Sequence, residues 1–463
     1  MKLNKDQLLI ITISSCVIAS VMSTSMLTIA FPNLVDFFDI SYSTLQIRNI
    51  LFFSFFAFLI PLFGKVADVL GARKLLIFGL SLFITSTILS GTTNNWNLFL
   101  LYQTLQAIAD AMVVPAQVLL IRQSFKDNKL GWAFGWFSGV LATASLIGPA
   151  VGGLVIKYYP WQMIFGILII ISCISLILVI MVTPKSKKRI TANLHLPLKN
   201  SLALLVMVIS FQFIFNDDIG VVKRSLSITV TIVSLILFVF YERANQGNTS
   251  LLPRKAIKNT IFISSIVRIF VLFMITNVIV LYIPSYMRDI HNIQPDIVGY
   301  IIMADSILAV LLSGYAGKLA DLKDNRNLLL LSISISIIGM VNLTLTMFNG
   351  SLIFFIFAFL LFGLAGVISM PTQNKIAMLS VPEEETGVYM GLFQMVQFGT
   401  GAFAAGVFNT FLDYGTDKGD FSQVGFSYVL IICIGLYLVA IGTVVYDKRL
   451  LKSNLKLSLK EEV

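Results

Sequence analysis

The stretch Gly64-Lys-Val-Ala-Asp68-Val-Leu-Gly71-Ala-Arg73-Lys74 is a short charged break between two long apolar runs. It returns as Gly317-Lys-Leu-Ala-Asp321, with Arg326 as far beyond Gly317 as Arg73 is beyond Gly64. Further on, Pro115-Ala-Gln117 returns as Pro371-Thr-Gln373, and Gly131-x-x-x-Gly135-x-Phe137 as Gly387-x-x-x-Gly391-x-Phe393. These two offsets are equal and only three residues longer than the first. Matches in one order at nearly one offset mark an internal duplication. They imply two parallel halves of about six apolar segments each, related by an axis along a membrane normal.

The segments between these landmarks are long enough to cross a bilayer. The 463 residues are 57% hydrophobic and 12% charged, with mean hydropathy +0.89. A soluble chain carries about twice that charge. Apolar runs of about 18 residues or more recur throughout, and a hydrocarbon core offers no water to free backbone groups, so each run is expected to be helical. Hydropathy places about fourteen spans, of which the seventh (about 200–216), the eighth (about 225–241) and the thirteenth (about 386–412) matter below. The expected organisation is a six-helix bundle over 1–190, an inserted helix pair over 191–257, a second six-helix bundle over 258–446 and a cytoplasmic tail over 447–463.

The net charge of +10 would suggest nucleic acid in a soluble protein. Here basic residues gather in alternate loops instead: Lys65, Arg73 and Lys74; Arg122, Lys126 and Lys129; Lys185, Lys187, Lys188 and Arg189; Arg254, Lys255 and Lys258; Lys318, Lys323 and Arg326. The other side keeps only Arg48, Lys157, Lys223, Arg224, Arg288 and Lys418. The positive-inside rule then puts both termini in the cytoplasm of a cell-membrane protein and leaves no part for nucleic acid. The start, MKLNKDQLL, is basic like a signal peptide, but its apolar stretch is too long for one and is expected to be the first span. Cys16, Cys173 and Cys433 lie in apolar runs at unrelated spacings, and His195 and His291 lack metal-ligand company, so no metal or cofactor is expected. No phosphate-binding Gly-x-x-x-x-Gly-Lys loop occurs, and no catalytic motif, so the reading is not an enzyme and its energy comes from an ion gradient.

With these residues on the page, the segment Gly64 to Lys74 resembles the loop signature of the major facilitator superfamily. That resemblance implies that Gly64, Asp68, Gly71, Arg73 and Lys74, with Gly317, Asp321 and Arg326, form gating loops between helices. Gly148, Pro149, Gly152 and Gly153, in the fifth span, resemble the antiporter signature of drug-exporting members. Thr28-Ile-Ala-Phe-Pro32 and Trp161-Gln-Met-Ile-Phe165 resemble segments of the fourteen-span drug:proton branch. The resemblance implies an all-α facilitator fold with two extra central helices and multidrug efflux, an antibiotic-resistance activity. It also departs from the pattern. Ser23 stands where that branch has an acid in span one, and span four holds Gln103, Gln106 and Ala107 where it has an arginine followed by Gln-Gly.

Proton coupling therefore has to come from what remains. Asp110 lies near the middle of span four, and Gln103, Asp110 and Gln117 recur every seventh residue as one polar stripe. An ionisable group at that depth needs a partner or a cavity, and a carboxyl is suited to exchanging protons. Arg268 in span nine and Asp305 in span ten lie at comparable depths, so a buried pair is geometrically possible. Two unneutralised buried acids favour a cationic amphipathic substrate; Arg268 facing the cavity unpaired favours a neutral or anionic one. The expected partners are a small amphipathic compound, the lipid bilayer, and protons or sodium in their place, with the chain a monomer. A lipid flippase and a non-transporting sensor or assembly factor are the rival readings.

Overall fold

The computed structural model describes residues 4–184, 198–214, 220–244, 254–322, 324–349, 351–412 and 423–461. Lys185, Lys187, Lys188, Arg189, Lys323 and Lys418, read above as loop residues, and His195 lie outside them. The regular elements are helices. In chain order they are α1 (Lys5–Ile29), α2 (Phe31–Phe38), α3 (Tyr42–Leu70), α4 (Ala72–Thr92), α5 (Trp96–Ser124), α6 (Leu130–Tyr158), α7 (Met163–Val182) and α8 (Leu198–Ile214). There follow α9 (Val221–Ala244), α10 (Arg254–Lys258), α11 (Thr260–Asp289), α12 (Pro295–Leu322), α13 (Asn325–Asn349), α14 (Leu352–Leu379), α15 (Thr386–Leu412) and α16 (Gln423–Glu461).

Local chemistry sets several boundaries. Ser41 opens α3, its hydroxyl accepting the Thr44 amide at 3.1 Å. The Asn95 side chain accepts the Asn97 and Leu98 amides at 2.9 and 3.2 Å to open α5, and Asn259 opens α11 in the same way. Each cap satisfies amides that the helix itself leaves free. Pro61, Pro115, Pro149, Pro284 and Pro371 lie inside helices, as spanning segments tolerate.

Among the described residues, twelve helices are long and apolar enough to cross a membrane. The expected count was fourteen. Of the two remaining candidates, α8 has 17 residues, short for a span, and α15 carries side chains beyond residue 400 that are described only at Ala404. Ile170, Ile177, Met181, Leu235, Ile236 and Phe240 are exposed. They form the apolar outer surface that a soluble protein would bury.

Two compact units emerge. The first comprises Met1–Lys126, Val140–Ile257 and Val381–Met395; the second comprises Asp127–Gly139, Lys258–Ser380 and Val396–Val463. α6 therefore starts in the second unit and ends in the first, and α15 does the reverse. In the first unit, α4 packs along α5, α3 along α5, and α1 along α7. Trp96, Phe99, Trp161 and Phe165 close one end of that unit, with Trp96 stacked on Phe99 at 5.7 Å and Trp161 edge-on to Phe165 at 6.0 Å. The α8–α9 pair is held to α3 by Phe58, Leu204 and Leu205. In the second unit, α12, α13 and α14 pack together and α11 lies against α16. There Tyr286 stacks on Phe426 with ring centres 4.0 Å apart.

Candidate functional site

The duplicated motifs are helical where loops were expected. Gly64 and Asp68 lie in the last turns of α3, and Gly317 and Asp321 in the last turns of α12; the first motif breaks at Gly71, at φ 89, and the second between Leu322 and Asn325. The helices outrun the apolar stretches because backbone hydrogen bonding continues past the hydrocarbon edge. Each repeat then performs the same act. Asp68 accepts the amides of Gly387 (2.8 Å) and Val388 (3.0 Å) at the start of α15. Asp321 accepts the amides of Gly131 and Trp132, both at 2.8 Å, at the start of α6. A carboxylate across free N-terminal amides is the favourable arrangement for a helix dipole. Glycine is required for contact: a Cβ on Gly64 would stand 2.1 Å from the Gly387 carbonyl oxygen.

Lys375 of α14, 5% exposed, reaches Asp321 at 2.7 Å and the Ala320 carbonyl at 3.1 Å. Arg73 takes no part in the Asp68 clamp. Its guanidinium donates to the carbonyls of Thr183 and Ile180, at the C-terminal end of α7, where cations are favoured. Lys74 is exposed, and Arg326 donates its backbone amide to Asp324.

In the fifth-span motif, Gly148 and Gly152 face α1. A Cβ on Gly148 would lie 2.0 Å from the Ser25 hydroxyl, and one on Gly152 would lie 3.1 Å from the Met26 carbonyl. Gly153 meets nothing within 4 Å. Pro149, between them, lies inside α6.

The polar centre of the first unit is built on α5. Gln103, Gln106, Asp110 and Gln117 are each no more than 2% exposed. Asp110 stands 14 residues from each end of α5, about 21 Å along the axis. Its Oδ1 has no hydrogen-bond partner, while Ser20 of α1 lies within hydrogen-bonding reach. Ser20 is one turn from Ser23, where the resemblance expected an acid, so α5 brings a carboxyl against that part of α1. Gln103 and Gln106 belong to a chain of donors. Gln103 Nε2 donates to Ser90 and to Gln106 Oε1, both at 3.0 Å, and Gln106 Nε2 donates to Thr87 at 3.1 Å. Gln117 shares the stripe, with its Nε2 unpartnered.

At the head of that chain stands a residue the sequence reading placed in an outer loop. Arg48 lies two turns into α3 and is 2% exposed. Its Nε and Nη2 donate to Gln103 Oε1 at 3.0 and 2.6 Å, and Nη1 donates to Asn49 Oδ1 at 3.1 Å. The guanidinium also lies over the Phe52 ring, 4.5 Å from its centre. The available signal was Ser41, whose cap starts the helix early enough to draw Arg48 inside.

The expected Arg268–Asp305 pair does not form. Arg268 is fully buried and bonds Asp447 of α16 at 3.2 Å, with Ser265 at 3.1 Å and Thr443 at 3.3 Å. Asp447, the first residue of the expected tail, is also fully buried and accepts from Ser264 at 2.5 Å. α16 runs unbroken past the apolar stretch, which carries this acid into the unit. Asp305 is half-buried, its backbone against Gly363 of α14.

An all-helical chain of repeated spans, with twin carboxylate clamps and buried polar groups at mid-span, has the architecture of a membrane carrier. The family profile described as Major Facilitator Superfamily matches residues 13–405, and the chain belongs to that family. It is a multi-pass membrane transporter and not an enzyme. It is 26% identical over 389 residues to the riboflavin transporter RibZ of Clostridioides difficile, covering 83% of each chain. It is 21% identical over 330 residues to the lincomycin resistance protein LmrB of Listeria monocytogenes, covering 70% of this chain and 68% of that one. Among solved structures, the proton:xylose symporter XylE aligns at TM-score 0.67 and 14% identity, covering 96% and 95% of the two chains. A bacterial homologue of ferroportin in its outward-facing state aligns at 0.68 and 11%, covering 96% and 99%. At those identities the likeness concerns the fold alone.

Proposed function

We propose that this chain exports a small amphipathic compound across the cell membrane by alternating access, in exchange for protons. Asp110 is the proton carrier. The observation that carries this reading is a carboxyl at mid-span with one oxygen left without a hydrogen bond. Such a group in hydrocarbon is expensive to maintain unless it binds something. The Asp68 and Asp321 clamps are the gates, and Gly148, Pro149 and Gly152 let α6 press on α1 along the export path. In this reading the chain is a fourteen-span monomer: bundles over 1–190 and 258–446, the pair over 191–257, and both termini cytoplasmic. The lincomycin resistance relative supports efflux. A second reading, carriage of a flavin-like heteroaromatic, is favoured by the riboflavin transporter relative and by the amide chain from Gln103 to Gln106.

Everted membrane vesicles with an imposed acid interior test both. Ethidium accumulation driven by the gradient, and lost in Asp110→Asn, supports proton-coupled export. Riboflavin accumulation without ethidium accumulation supports the second reading. Gradient-independent movement of either dye refutes antiport.

A further inference from the structure

The buried polar groups of the first unit carry one charge that the exchange of protons at Asp110 does not explain. Arg48 lies close to the start of its span, where a long cationic side chain can reach the headgroups. It turns inward instead, to 2% exposure. Among the described residues no carboxylate lies within ion-pair distance of it. Its bonds go to two amide oxygens, those of Gln103 and Asn49, and its face rests on Phe52. Three bonds leave donors of the fork unused. Asp110 is near enough for its charge to be felt at Arg48, but not near enough to bond it.

Arg268 shows what a purely structural guanidinium looks like in the same protein. Its charge is neutralised at 3.2 Å by Asp447, which Ser264 also supports. A buried cation without a carboxylate is costly unless an anion reaches it, and protein groups could have supplied one, as Asp447 does for Arg268.

We propose that Arg48 is a substrate-binding residue that receives an anionic oxygen, a carboxylate or phenolate, so that the transported compound is an amphipathic organic anion or zwitterion. The inference rests on the transporter reading and names the substrate class at its site. Phe52, against the guanidinium, supplies an aromatic surface beside the anion. Gln103 holds the fork in place through Nε and Nη2 and is a positioning residue. When Asp110 is charged it lowers the attraction of Arg48 for an anion; when Asp110 carries a proton the attraction is restored.

The test is binding of two dyes to the purified full chain in lipid nanodiscs at fixed pH, with fluorescein as the anion and ethidium as the cation. The native protein is expected to bind fluorescein, and Arg48→Met to weaken that binding by about tenfold or more, the equivalent of one charged hydrogen bond. Ethidium affinity is expected to stay within about twofold, since no bond of Arg48 serves a cation. Arg48→Lys keeps the charge and loses the fork, so fluorescein affinity falls by a smaller factor; this variant carries the test if Arg48→Met does not fold. A native protein that binds no fluorescein overturns the proposal, as does an equal loss of both dyes or no loss of either. Dye selectivity that follows Arg48 while gradient-driven transport fails refutes antiport and leaves this assignment standing.

Discussion

The first unit and the second each bury a guanidinium, and they settle its charge in opposite ways. In the second, Arg268 and Asp447 neutralise one another, and Ser264, Ser265 and Thr443 complete the cluster. In the first, Arg48 is held by amide oxygens, and Asp110, the acid whose charge reaches it, has an oxygen without a hydrogen bond. A closed pair has no net charge left to attract a ligand, although Arg268 Nε is without a hydrogen-bond partner. An open one holds binding capacity at the cost of stability, which is the usual signature of a working site.

Breaking the closed pair gives the largest expected effect on folding. Asp447→Ala leaves Arg268 buried and alone, and is expected to cost about 3–5 kcal/mol, read as a lowered unfolding midpoint in detergent. Arg268→Met with Asp447→Leu should recover most of that loss; no recovery would mean that the pair does more than neutralise itself. Next in size is Gln103→Leu, which removes the acceptor of two Arg48 bonds and should cost about 1–3 kcal/mol, with Arg48-dependent dye binding weakened alongside.

Asp110→Asn is expected to change stability by less than about 1 kcal/mol, because the free oxygen has no bond to lose, yet to remove gradient-driven transport. The comparison fails if this variant unfolds as readily as Asp447→Ala. Thr443→Val, which deletes one long bond at the rim of the closed pair, should cost only about 0.5–1 kcal/mol and leave transport unchanged. A transport defect there would blur the line between the two regions.

The Asp321 clamp allows a finer contrast. Asp321 is shared by two amides and Lys375, so Asp321→Asn removes an ion pair as well as two charged hydrogen bonds. Asp321→Asn should therefore lower the unfolding midpoint more than a Lys375→Met change that spares the amides.

Much of this was legible along the chain. Asp110, Gln103 and Gln117 stood out because a polar residue in an apolar run needs no partner to be noticed. Asp68 and Asp321 stood out because they repeat. Arg48, Lys375 and Asp447 did not, because each lies at the edge of an apolar run, where a charge is read as facing water. Hydropathy treats that zone as loop, and only the direction of the side chain distinguishes a headgroup anchor from a buried ligand.

Taken alone, the sequence determined the helical class, the duplication and the positions of the mid-span polar groups, since apolar length and repetition are properties of order along the chain. Which charges meet was decided by tertiary structure alone. Arg268 chose Asp447 over Asp305, and Arg48 turned inward to Gln103, because pairing depends on helix rotation and on where each helix ends. A linear pattern carries neither quantity.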